Sequence, residues 1–228
     1  YVTQSLASFT DESLLSAIAI AAYSYMALIP VIQKPIMRLL VPKEERMIKM
    51  KYSAKQVTPL MRILFPIIVT IISGLIAPDS LSLVGMLMFG NLLRECGVLK
   101  SLSETAQTTF SNIITLLLGI TISFQMQAAA FLSFETLIIM GLGLFAFVFD
   151  TIGGVMFAKF INLFRKEKIN PMIGAAGISA FPMSARVVHK MGLAEDNQNF
   201  LLMHSIGVNV SGQVASVIAG GLILALVK

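Results

Sequence analysis

Apolar residues occur in long blocks separated by short polar links, and the block lengths predict helices throughout. Thr10-Asp11-Glu12 is an N-cap followed by first-turn acids, so a helix is expected from there to about Ile32. It carries Tyr23, Ser24 and Tyr25 deep in an apolar run, with Pro30 as a kink candidate. The basic stretch 33–62 is too polar to insert and is expected as a cytoplasmic amphipathic arm. Residues 63–77 then cross outward, and Pro78-Asp79 marks a tight turn. A run at 81–93 ends on Asn91, Arg94 and Glu95, a polar link occupies 100–112, and a second short run, 113–124, ends at Gln125 and Gln127. From about Phe131 to Phe164 a long run returns, interrupted by Asp150 and Gly153-Gly154.

The stretch 170–216 organises the rest. Asn170 is a good N-cap and Pro171 suits the first helical position, but Pro182 disfavours helix at Phe181, so the segment breaks. A dozen residues rise only ~18 Å against a hydrocarbon core of ~30 Å. A glycine-rich apolar segment too short to span reads as a re-entrant hairpin over 170–186, tolerable only where protein buries it or it lines a cavity. After a polar link from His189 to Asn199, the last helix runs 200–227. Ser205, Asn209, Gly212 and Ser216 fall on one of its faces, with Gln213 beside them and Met203, Val210 and Val217 opposite. Such a ladder either mediates helix packing or holds an ion; a carboxamide flanked by Gly207 and Gly212 and facing a broken hairpin favours the ion. Three runs too short to span (81–93, 113–124 and 171–181) are the mark of transporter folds built from inverted repeats, although no sequence repeat is evident.

Composition narrows the class. Of 228 residues 56% are hydrophobic and only 13% charged, with mean hydropathy +0.84, far from a soluble domain. The chain is therefore expected to be an all-α, polytopic membrane protein forming one membrane domain over 1–228. The lone Cys96 excludes a disulfide framework and a cysteine-ligated zinc site, and the absence of Trp leaves any aromatic belt to Tyr and Phe. Eight of the 17 Lys and Arg lie between Lys34 and Arg62 and four between Lys159 and Lys168, so both clusters belong on the cytoplasmic side. Topology and anionic headgroups account for them, and no nucleic-acid partner is implied. The chain opens on Tyr1 without a signal-peptide pattern, and is expected to be a piece of a longer subunit.

Asp150 is the most pointed single residue. A helix beginning near Glu135 places it about 22 Å into the core, where an ionisable group marks function. The competing reading tilts the helix and pairs Asp150 with Lys159 or Arg165 at the interface. Tyr25 offers a phenol as ligand or proton donor, or simply satisfies a neighbour. Arg186 holds a carboxylate substrate or anchors the hairpin to headgroups. His189 and His204 lack companions at metal-ligand spacing, and GAAG at 174–177 follows no strand, so zinc and dinucleotide sites are not expected. What remains is a bundle with oxygen ligands, suited to a hard cation such as Na⁺, or to a proton.

Five stretches carry a resemblance: NPMIGAAGISAFPMSARV, EDNQNFLLMHSIGVNVSGQVASVIAGG, FDTIGGVMFAK, AAYSYMALIPVIQKPIMR and LMFGNLLRECGVLKSLSETAQ. Together they resemble the β subunit of the biotin-dependent, sodium-pumping decarboxylases of oxaloacetate, glutaconyl-CoA or methylmalonyl-CoA, over essentially the whole chain. The resemblance implies a multi-pass subunit of a bacterial or archaeal plasma (inner) membrane that decarboxylates carboxybiotin, moves Na⁺ outward and consumes a proton. It implies as partners a carboxyltransferase and biotin-carrier α subunit and a small membrane γ/δ subunit, and leaves a homo-oligomer open. The family's residues of interest match Tyr25 and Asn209 with its neighbours Ser211, Gly212 and Ser216. Asp150 and Arg186 join Tyr25 as catalytic candidates from the reading of the residues, and an aspartate in an Asp-Gly-Pro-Thr stretch is expected upstream of Tyr1.

The runner-up is a secondary Na⁺-coupled or Na⁺/H⁺ transporter without chemistry, since both need broken helices and oxygen ladders. Co-purification with a biotinylated carrier separates them. A structural scaffold does not explain Asp150 together with the polar ladder. The basic clusters yield a topology test. A cysteine at Ser53 should be shielded from an impermeant outside reagent, and one at Ala129 should react; labelling at position 53 but not at 129 overturns the orientation.

Overall fold

A computed structural model describes residues 12–51, 57–125, 132–178, 180 and 182–227. The Thr10 cap, the link near Gln127, the two labelling positions and Phe181 lie outside these residues. Among the described residues there is no strand, and the structure is that of an all-α membrane protein. The helices are α1 (Glu12–Leu40), α2 (Lys43–Arg46), α3 (Pro59–Ile76), α4 (Leu81–Glu95), α5 (Lys100–Thr105), α6 (Ser111–Gln125), α7 (Phe134–Phe164), α8 (Met183–Glu195) and α9 (Leu202–Val227). Three described helices are long and apolar enough to cross a membrane: Pro59–Ile76, Thr136–Phe164 and Leu202–Leu226. Residues group into two compact units, one of 54–132 with both chain ends, the other of 17–53 and 133–216.

In the first unit, Thr58 caps α3 by accepting from the Met61 N–H, with Pro59 at the first helical position. The expected turn is a 3₁₀ helix, Pro78–Ser80, so α3 and α4 are joined by a tight reversal. Gly221 of α9 packs on it: a Cβ there would lie 2.7 Å from the Ser80 Cβ. The polar stretch 100–112, read above as a link, is helical instead. α5 passes through a π-helical turn, Ala106–Phe110, directly into α6. Its polar side chains bond within the helix, Gln107 Nε2 to the Ser103 carbonyl and Thr108 Oγ1 to the Glu104 carbonyl, so they need no loop. The run 113–124 therefore belongs to a longer helical path, whereas α4, with 15 residues, rises only about 22 Å.

The second unit holds the main apolar cluster, formed by Ile29, Met37, Val41, Val155, Met172, Val188 and Leu201 with their neighbours. α1 was expected to end near Ile32, yet it continues through Pro30 and Pro35 to Leu40. Ala21, Tyr25, Ile29, Gln33, Met37 and Val41 follow one another at four-residue spacing, and all but Tyr25 are fully buried. That continuous stripe offsets the proline penalty, because tertiary packing supplies most helix stability in proteins. Asn170 caps as expected, its Oδ1 accepting from the Met172 N–H, but the turn it opens, Pro171–Gly177, is 3₁₀ rather than α. After a break, α8 covers most of the stretch read as a polar link.

A clasp closes one end of this unit. The Arg46 carbonyl accepts from Asn170 Nδ2 and Asn199 Nδ2, both at 2.8 Å. Its guanidinium donates to Glu195 at 2.8 Å and to the Val41 carbonyl at the end of α1, also at 2.8 Å. Lys49 pairs with Asp196 at 2.9 Å, and this donation, with that of the Gln198 N–H, holds the Asp196 carboxyl below its usual range.

α7 and the 3₁₀ turn meet backbone to backbone. A Cβ on Gly154 would strike the Gly174 carbonyl, and one on Gly174 the Gly154 carbonyl. At Gly153, one residue away, a Cβ would meet nothing. Gly154→Ala should therefore cost about 1–3 kcal/mol, while Gly153→Ala should be neutral or gain about 0.5–1 kcal/mol from helix propensity. Thermal unfolding of the two variants in detergent checks this, and equal melting of both would refute the contact.

Candidate functional site

The 3₁₀ turn and the break after it leave carbonyls outside any helical ladder, and buried carbonyls need donors. Side chains from three helices supply them. Gln33 Nε2 of α1 and Ser184 Oγ of α8 both reach the Ala175 carbonyl at 2.9 Å. Asn209 Nδ2 of α9 donates to the Ala176 carbonyl at 2.9 Å and the Ile178 carbonyl at 2.6 Å. Gly212 lies so close that a Cβ there would strike the Gly177 carbonyl, which explains a bare backbone in the ladder.

The ladder divides. Ser205 and Asn209 are fully buried, and Ser205 Oγ and Asn209 Oδ1 have no hydrogen-bond partner. They stand one turn apart on the face that meets the broken segment, and buried oxygens without a donor are rare enough to need a reason. Ser211 and Ser216 are exposed, and their hydroxyls donate to their own helix, to the Gly207 and Gly212 carbonyls at 2.9 and 2.8 Å.

Tyr25 and Asp150 come together. Both line a pocket of about 240 Å³ with Ala22, Ile29, Phe147, Ile178 and Ala180. The Tyr25 hydroxyl lies 2.9 Å from the carbonyls of Ile139 and Met140, and can donate to one of them. It sits against Gly143, where a Cβ would overlap the phenol. Lys159, one of the two partners considered for Asp150, instead pairs with Glu45 at 2.9 Å. Ile178 connects the two places, since its residue lines this pocket and its carbonyl is held by Asn209. Arg186 stands exposed in the first turn of α8, apart from both.

Sequence reasoning missed Gln33 and Ser184. Gln33 was assigned to the basic arm, although a carboxamide between two prolines, four residues after Ile29 on an apolar stripe, was a readable signal. Ser184 offered none, because one serine after Pro182 is unremarkable until the Ala175 carbonyl is placed beside it.

A broken backbone whose buried carbonyls are gripped by side-chain donors, in a chain with helices of spanning length, is a feature of polytopic membrane proteins that keep irregular backbone inside the protein. The chain belongs to the Na⁺-transporting oxaloacetate decarboxylase beta subunit family, whose pattern matches residues 1–227. It is 50% identical over 221 residues to the methylmalonyl-CoA decarboxylase subunit beta of Propionigenium modestum, covering 97% of this chain and 56% of that one. To the oxaloacetate decarboxylase beta chain of Haemophilus ducreyi it is 49% identical, covering 96% of this chain and 50% of that one. The glutaconyl-CoA decarboxylase subunit beta of Acidaminococcus fermentans is 47% identical, with 97% and 59% covered. The chain thus spans between 50% and 59% of the length of these relatives.

Proposed function

We propose that this chain is part of the membrane subunit of a sodium-pumping decarboxylase, in which cleavage of carboxybiotin drives Na⁺ outward. The family supports this reading, and the observation that carries it is the pair of buried, undonated oxygens, Ser205 Oγ and Asn209 Oδ1. Na⁺ is cargo here and carboxybiotin, borne by an α subunit, is substrate. A small γ/δ subunit completes the complex, and the membrane is the bacterial or archaeal inner membrane. The segment 170–186 acts as the re-entrant element of an inverted-repeat architecture, as its 3₁₀ turn and break suggest.

A hard cation takes about six oxygens, so the Asn209 and Ser205 oxygens form one wall of its shell and Ser211, Gly212 and Ser216 border it. The remaining oxygens come from the rest of the subunit, including the Asp-Gly-Pro-Thr aspartate that the family resemblance implies. Carboxybiotin brings an N–CO₂⁻ bond whose cleavage releases CO₂ and leaves the ring nitrogen to take up one proton. Asp150 and Tyr25, which line the same pocket, are the groups that hold that proton, and its apolar wall of Ile29, Phe147 and Ile178 limits water. Arg186, exposed at the start of α8, offers a planar fork for the carboxylate. Which acid or acyl-CoA feeds the complex is decided on the carboxyltransferase.

The test is the decarboxylation rate against sodium concentration in the complete complex. Loss of one neutral ligand, about 1.4–3 kcal/mol, corresponds to a ~10- to 150-fold higher sodium requirement. Asn209→Ala and Ser205→Ala should show it, Ser216→Ala only weakly, and Met203→Leu on the exposed face not at all. Asp150→Asn should abolish turnover in a complex that still assembles. Unchanged sodium dependence in Asn209→Ala and Ser205→Ala would make the ladder packing.

A further inference from the structure

Gln33 and Ser184 belong to none of the roles assigned above, yet they make a fully buried polar contact with the broken segment. Both are 0% exposed. Gln33 Nε2 lies 2.9 Å from the Ala175 carbonyl and 2.9 Å from Ser184 Oγ. Ser184 Oγ in turn lies 2.9 Å from the same carbonyl and 3.0 Å from Gln33 Oε1. A primary amide buried this fully is costly unless satisfied, and its neighbours on the stripe, Ile29, Met37 and Val41, show that apolar side chains fit there.

The position of the pair says what it does. Gln33 stands one turn beyond Ile29 and two beyond Tyr25 on α1, so one of the helices that line the pocket also grips the segment that lines it with Ile178 and Ala180, α7 supplying Phe147 and Asp150. Ala175 lies three residues before Ile178, whose carbonyl is gripped by Asn209. The short stretch 175–178 is thus held at both ends, by α1 and α8 at its start and by α9 at its finish. Glycines flank Ala175-Ala176 at 174 and 177: a Cβ on Gly174 would strike the Gly154 carbonyl, and a Cβ on Gly212 of α9 would strike the Gly177 carbonyl. With so close a fit, loss of one grip is met by a shift of the segment rather than by local relaxation.

We propose that Gln33 and Ser184 are a positioning pair for the broken segment: they fix the register of its carbonyls and the width of the Tyr25–Asp150 pocket, and sodium affinity depends on them. Neither touches the ion; each acts through the Ala175 carbonyl. This rests on the sodium-coupled reading above. It differs from core satisfaction in one observable. A purely structural pair, once broken, lowers the amount of folded complex and leaves the survivors with ordinary affinity. A positioning pair changes the affinity of the folded fraction.

The experiment measures decarboxylation against sodium concentration in the complete complex, per assembled complex recovered by gel filtration. Gln33→Met removes both polar atoms at similar length, Ser184→Ala removes one of the two donors to Ala175, and Leu39→Ala changes an α1 residue that is 86% exposed. The expected result is a sodium half-saturation raised about tenfold in Gln33→Met, with the maximal rate changed much less. Ser184→Ala should shift it in the same direction by a smaller factor, and Leu39→Ala should leave it unchanged. Wild-type half-saturation in both polar variants, or a loss confined to maximal rate, overturns the proposal. If Gln33→Met does not assemble, Ser184→Ala decides alone. A wild-type complex whose rate ignores sodium overturns the sodium-coupled reading itself, and that result appears before any variant is compared.

Discussion

A backbone that leaves its helix inside the protein exposes carbonyls that have no water to turn to, and the packing of the second unit follows from how those carbonyls are served. The carbonyl at 175 is met by side chains of α1 and α8, and those at 176 and 178 by the Asn209 amide of α9. Each donor would otherwise be an expensive buried polar group, and each acceptor an expensive buried carbonyl. Paired, the two costs largely cancel, and what is left is geometry. The glycine contacts at 154–174 and 177–212 belong to the same solution, since donors of this reach work only if the backbones approach without a Cβ between them.

The same constraint explains why polar atoms remain unserved beside it. Asn209 spends both amide hydrogens on the segment, which leaves its Oδ1 turned away, and Ser205 Oγ one turn earlier is equally bare. A residue that must donate to hold a broken backbone thus presents an acceptor as a by-product. The proposed oxygen site for a hard cation starts from that by-product, whereas the hydroxyls of Ser211 and Ser216 are already bonded to their own helix.

Much of this was legible in the sequence because its signals are local. The cap at Asn170 and the small residue at Gly212 express one-residue chemistry, and the buried Asn209 follows from its place on one helix face. What escaped was long-range. Nothing near Pro30 and Pro35 announces that α1 continues, because the compensation is a stripe buried against distant elements. The helix at 100–112 was hidden by hydroxyls and amides that look loop-like but turn back on their own carbonyls. Gln33 and Ser184 lie 151 residues apart in the chain, and only the folded segment brings them to one oxygen. Asp150 was left open between two surroundings; the fold places it among the residues lining the pocket with Tyr25 and pairs Lys159, one of its two considered partners, with Glu45.

The central claim is that a segment held in this way passes sodium when carboxybiotin is cleaved. Uptake of radiolabelled sodium into inside-out vesicles holding the complete complex, with and without avidin to sequester the biotin, tests it most directly. The account predicts uptake that starts with the decarboxylation substrate and stops when avidin is added. Sodium uptake of equal rate in the presence of avidin would contradict it and leave a transporter without the chemistry.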